Sequence, residues 1–160
     1  MGAGCGPNLD PQLSESRSLL AATTVTCPNG NQQALFGGGA IISGRSAVVD
    51  IFNGGDSLER SIDSLTLARI RLAATSVQCN DKGYALFGGG DDGLALFNDV
   101  DVFECNDAGV FFKERLELTV GRSLLAATSV QCNDKGYALF GGGDEGISVV
   151  NDVNVFCLLY

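Results

Sequence analysis

Three sets of residues in this 160-residue chain have the types and spacing that could carry chemistry. The first is Gly88-Gly-Gly-Asp-Asp-Gly93, repeated as Gly141-Gly-Gly-Asp-Glu-Gly146. Both satisfy the G-x-G-x-x-G spacing that cradles a diphosphate, but that chemistry needs a helix N-terminus behind the loop. Here a strand pattern follows, and two carboxylates stand where the anion would sit, so nucleotide binding is not expected. The second set is acidic: Asp91, Asp92, Asn98 and Asp99, echoed by Asp144, Glu145, Asn151 and Asp152. Clustered carboxylates suit Ca²⁺, which takes roughly six to eight oxygens. The EF-hand spacing is missing, however, and an earlier copy carries Ala40-Ile41-Ile42 at that place. Solvated turns are therefore expected and no metal is assigned, with a weak Ca²⁺ site or an acidic rim for a basic partner as the alternative. The third set is basic: Arg17, Arg69, Arg71 and Arg122, for which a structural role satisfying loop carbonyls is favoured over contact with an acidic or polar peptide.

The chain has no histidine. That removes Ser-His-Asp and Cys-His nucleophiles and every His-bearing metal site within it. A glycosidase-like carboxylate pair is left in principle, but the acids stand in turns, where water keeps their protonation ordinary. No catalytic residue and no cofactor is assigned. Nineteen acidic against ten basic residues give a net charge of −9, which disfavours nucleic acid and anionic membranes as partners. No apolar run is long enough for a membrane-spanning helix, and Met1–Pro7 lacks the basic and apolar regions of a secretory signal. Gly2 raises N-myristoylation, but Gly6 stands where Ser or Thr is favoured. The default expectation is a cytoplasmic protein.

Cysteines recur in register. Cys27, Cys79 and Cys132 occupy one repeat position, and Cys105 and Cys157 a second, 26 and 25 residues after Cys79 and Cys132. Within one unit the two positions fall two strands apart, about 9–10 Å, beyond the roughly 7 Å between Cα atoms that a disulfide tolerates. Bridges Cys79–Cys105 and Cys132–Cys157 would need a curled loop, so reduced, partly buried thiols are expected. No C-x-x-C pair suggests zinc.

The elements that position these residues come from a repeat. Residues 72–90 recur letter for letter at 125–143, and a looser copy begins at Leu20. Arg17, Arg69 and Arg122 each stand three residues before the Leu of a Leu-Ala-Ala-Thr run, spaced by 52 and 53 residues. A period near 50 fits a propeller blade rather than a helical repeat. Within one copy, Leu72–Cys79 reads as a crowded strand, Asn80–Gly83 as a tight turn with Gly83 at positive φ, and Tyr84–Phe87 as the return strand. Phe97–Glu104 alternates, with Val100 and Val102 on one side and Asp99 and Asp101 on the other. Val110–Leu118 makes a fourth, more polar and therefore outermost strand.

These features resemble the kelch repeat. The residues that carry the likeness are Arg69 … Leu72-Ala-Ala-Thr, Ala85-Leu-Phe-Gly-Gly89 and Val100-Asp-Val-Phe103, with counterparts Leu139-Phe-Gly-Gly142 and Val153-Asn-Val-Phe156. Two departures stand out: Phe replaces the family's Tyr, and its fourth-strand Trp is missing. The resemblance implies an all-β fold of about three four-stranded antiparallel β-propeller blades in an incomplete ring. Residues 1–16 form an irregular arm, 17–68 blade 1, 69–121 blade 2, and 122–160 an incomplete blade 3. Such rings close with five to seven blades. Two chains could pair into a six-bladed homodimer, the chain could belong to a longer array, or it could form an open arc. The identity of copies two and three tips this reading slightly toward the longer array. The resemblance further implies a non-catalytic interaction module that binds a protein or peptide on its loops. The candidate contact residues are Arg17, Arg69, Arg71, Arg122, Asp91, Asp92, Asp144 and Glu145. A carbohydrate-binding propeller, or a piece of a larger kelch-type enzyme, is the alternative.

Overall fold

A computed structural model describes residues 11–54, 59–133 and 135–158. The expectations for residues 1–10, lipidation at Gly2 included, lie outside the described residues. Each repeat folds into its own antiparallel sheet. The first contains β1 (Ala21–Thr26), β2 (Gln32–Gly37), β5 (Val48–Asn53) and β6 (Arg60–Ser64), side by side in that order. A two-residue ribbon, β3 (Ala40–Ile41) with β4 (Gly44–Arg45), lies between β2 and β5 along the chain. The second sheet runs β7 (Ala73–Cys79), β8 (Lys82–Gly88), β9 (Asp99–Asn106) and β10 (Gly109–Glu117), with β10 at the edge as its polarity predicts. The third has β11 (Ala126–Cys132), β12 (Lys135–Gly141) and β13 (Val153–Cys157). Among the described residues the fold is all-β in several antiparallel sheets, and no sheet closes on itself. Among the described residues no helix is long and apolar enough to cross a membrane.

The sheets stack face to face through the first strand of each: β1 packs on β7 and β8, and β7 on β11 and β12. Small residues make this close approach feasible. The Phe87 ring covers Gly37, where a Cβ would come 2.7 Å from a ring carbon, and Phe140 covers Gly88 in the same way. One core joins Val25, Leu35 and Ile51 to Ala85, Phe87 and Phe103. The other joins Val77, Leu86, Val100 and Val102 to Ala138, Phe140 and Leu158. Each sheet repeats an edge-to-face phenylalanine pair, Phe36–Phe52, Phe87–Phe103 and Phe140–Phe156.

Packing between units changes three sequence readings. Asn80 and Asp81, at φ 48° and 63°, close the β7–β8 hairpin with Cys79 opposite Lys82. Two left-handed residues match the strand twist, so Gly83 does not supply the positive φ. It is glycine because a Cβ there would run into the Thr26 carbonyl of the first sheet. Asp99 and Asp101 do alternate with Val100 and Val102, yet both acids are buried, because the second sheet is covered on both faces. Finally, the cysteines pair between sheets. Cys27 is disulfide-bonded to Cys105, 78 positions further along the chain, with Cα atoms 5.0 Å apart. The end of a first strand lies over the third strand of the following sheet, a neighbour that distances inside one unit cannot reveal. Cys79, Cys132 and Cys157 are free. Cys157 pairs with Tyr137, whereas Cys105 pairs with Gly83. One residue of offset turns Cys157 to the opposite face, and Leu158 packs beside Cys79 instead.

Candidate functional site

The arginines of the repeat lie inside the sheets. Arg69 and Asp101 are both fully buried and joined at 2.8 Å, and the same guanidinium donates to the Phe87 carbonyl at 3.0 Å. Thr66 completes the cluster through its hydroxyl and backbone N–H, both donating to Asp101. Burial pushes the Arg69 pKa down, opposed by the Asp101 charge, and an arginine stays charged through such a shift. The first sheet repeats the motif with Arg17, Asp50, the Phe36 carbonyl and the Ser14 N–H. The third sheet repeats it with Arg122, the Phe140 carbonyl and Thr119, but Asn154 replaces the acid. Arg17, Arg69 and Arg122 therefore tie the lead-in segment to the second and third strands, and their side chains are withdrawn from solvent.

Arg71 is different. It is one of three equivalent residues with positive φ, Leu19 at 55°, Arg71 at 55° and Leu124 at 56°. Each such conformation costs on the order of 1 kcal/mol for a residue with a side chain. Backbone bonds between the sheets hold them: Arg71 N–H donates to the Leu19 carbonyl and Leu124 N–H to the Arg71 carbonyl, both at 3.0 Å. The half-exposed Arg71 guanidinium grips Asp91 through two nitrogens. Burial pushes the Asp91 carboxyl up, but Arg71 and the Gly93 N–H outweigh it and hold the pKa below the ordinary carboxylate value.

The loops after Gly39, Gly90 and Gly143 lie in a row beside these residues. Each closes with a backbone bond back to its glycine: Ser46 to Gly39, Phe97 to Gly90 and Val150 to Gly143. Neighbouring loops touch, since a Cβ on Gly93 would come 2.5 Å from Arg45 and one on Gly146 would come 3.3 Å from Leu96. Asp92 accepts from the Ala95 and Leu94 N–H groups, which lower its pKa. Asp144 accepts from the Gly146 N–H at 2.7 Å, and Glu145 from the Ser148 hydroxyl. Among the described residues no three acidic or thiol groups gather as a cation site would require. Arg71, Asp91, Leu124 and Asp144 line a cleft of about 240 Å³ between the second and third loops.

Of the predicted contact residues, the structure thus brings Arg71, Asp91, Asp92, Asp144 and Glu145 to one rim and keeps Arg17, Arg69 and Arg122 from it. Sequence reasoning missed the rim's apolar tips. Ile42, Leu94 and Ile147 stand on the three loops at 107%, 95% and 94% exposure, and Leu19 and Leu124 are exposed nearby. The signal was available: an aliphatic residue recurs three or four positions after each glycine triplet, in a loop where nothing in the pattern needs one.

No protein-family model and no curated protein matches this chain. Among solved structures it is similar to that of YjhT, with 14% identity, a TM-score of 0.61, and coverage of 92% of this chain and 47% of that one. The likeness is one of fold, and the chain spans about half of that protein's length.

Proposed function

We propose that the chain is three units of a kelch-like β-propeller and works as a non-catalytic interaction module, with a protein partner docking on the loop rim. The observation that carries this reading is the row of exposed Ile42, Leu94 and Ile147 beside the Arg71–Asp91 pair. Exposed apolar patches framed by polar groups mark interaction surfaces. The acids at the rim are engaged by Arg71 and backbone N–H groups, which favours recognition over proton transfer. A partner segment with aliphatic side chains flanked by Lys or Arg matches the apolar tips and the surrounding Asp92, Asp144 and Glu145. The test is affinity capture with the wild-type chain and an Ile42→Ser/Leu94→Ser/Ile147→Ser variant of unchanged circular dichroism. The reading expects a bound protein that the variant loses. Equal capture by both chains, or none by either, contradicts it.

A second reading, carbohydrate binding, is favoured by one observation. A cleft of about 470 Å³ elsewhere on the molecule is lined by Asn29, Asn31, Asn53, Asn106 and Asp107, with half-exposed Phe111 as an aromatic wall. Glycan-array binding that is lost on Phe111→Ala would support it over the rim reading.

A further inference from the structure

The two outer faces of the stack carry the same chemistry as its internal interfaces. On the second sheet, Ala73, Thr75, Val77, Cys79, Leu86, Val100 and Val102 are buried, and the third sheet covers that face. The third sheet presents the same residue types at the equivalent places on its outward face, and there Val130, Val153 and Val155 are 48%, 54% and 55% exposed. The surface that covers each internal face is also repeated. Ala74, Ala85, Phe87 and Phe103 cover the first sheet, and Ala127, Ala138, Phe140 and Phe156 cover the second. Ala22, Ala34, Phe36 and Phe52 hold those places on the outward face of the first sheet.

We propose that a second copy of this chain seats the outward face of its first sheet on the third sheet of its neighbour. The pairing is reciprocal, so that two chains close one ring of six sheets. The occupant follows from continuity with interfaces this chain already makes twice. Phe36 of one copy would cover Gly141 of the other, as Phe87 covers Gly37 and Phe140 covers Gly88. The backbone bonds also continue. Gly39 and Gly90 donate to the carbonyls of Arg69 and Arg122, so Gly143 would donate to Arg17 of the second copy. The Leu19 N–H would reach the second copy's Leu124 carbonyl, extending the Leu19–Arg71–Leu124 row. Head-to-tail contacts of this kind either close or run on as filaments, and two chains of three sheets each would close at six.

One position sets this junction apart. Gln32 stands where Gly83 and Gly136 make room for a neighbouring backbone carbonyl. The new interface is therefore splayed at that end relative to the internal ones, and Gln32→Gly should tighten it.

The test is mass in solution by light scattering across micromolar concentrations, with two variants. Val130→Asp and Ala22→Asp change residues that are exposed in the single chain and buried or packed in the internal equivalents. The wild type is expected at twice the 16.6 kDa chain mass, and each variant at the single mass with unchanged circular dichroism. Mixed together, the two variants should form a one-to-one pair, because one junction then joins two unaltered faces. Cys132 gives an independent readout: it is exposed in the single chain, while its counterpart Cys79 is buried. Its maleimide labelling should be at least tenfold slower in the wild type than in Val130→Asp. A single-chain wild type, masses above two chains, pairing that survives either variant, or variants that fail to pair when mixed would each overturn the proposal.

Discussion

At the scale of single residues, the repeat contains its own comparison in Asp50, Asp101 and Asn154. The first two neutralise a buried arginine, and the third only accepts its hydrogen bond. Asn154→Asp should therefore place a carboxylate against Arg122 and stabilise the chain by about 1.5–3 kcal/mol, measured as a higher denaturation midpoint. Asp101→Asn should cost about 3–5 kcal/mol, because it strands a buried cation. A destabilising Asn154→Asp would show that Arg122 is already balanced. Tyr84 provides a pH test. Burial, assisted by the Glu104 carboxylate, pushes its pKa up to about 12, against about 10 in an unfolded chain. Between those values the unfolded chain has lost a proton that the folded one keeps. Stability is then intact below about pH 10 and falls as pH rises toward 12. Denaturant titrations of wild type and Tyr84→Phe should differ in slope across that window, the variant being the flatter.

At the scale of elements, the strands and their order were legible, because small, β-branched and aromatic runs alternate with turn residues in every copy. The Arg positions were legible too, though their surroundings were not. Whether Arg69 faces water or Asp101 depends on both faces of the second sheet being covered, and that is a property of stacking. The same holds for Gly83, explained by a carbonyl in another sheet, and for Cys27, whose partner lies 78 residues away. A period locates equivalent residues within units but is silent on which units touch. Glycines make the point testable. Gly88→Ala should destabilise the fold by about 1–3 kcal/mol, since the new methyl meets the Phe140 ring. Gly141→Ala should leave the single chain's stability nearly unchanged, because the nearest obstacle is its own Val153 at 3.3 Å. Thermal unfolding of the two variants under conditions that keep chains apart checks both statements.

At the scale of the whole molecule, three equivalent sheets stack in chain order, and their loops fall in a row at one end. The copies agree where they build the stack, and at the loop tips the first copy departs, with Ile42-Ser43 where the others carry Gly93-Leu94 and Gly146-Ile147. A binding surface of the kind proposed would sit on such a rim, carried by a fixed frame. The rim therefore depends on face-to-face stacking, and the Cys27–Cys105 bridge reports that stacking directly. Its long closed loop should contribute about 4–5 kcal/mol in the chain-entropy picture, and it will form under mild oxidation if the two sheets are in register. Peptide mass spectrometry of the oxidised, non-reduced chain is the most direct test. The structure predicts a Cys27–Cys105 crosslink, with Cys79, Cys132 and Cys157 available to alkylation once the chain is unfolded. A Cys79–Cys105 crosslink inside one sheet, or no crosslink at Cys27, would contradict the stacked arrangement.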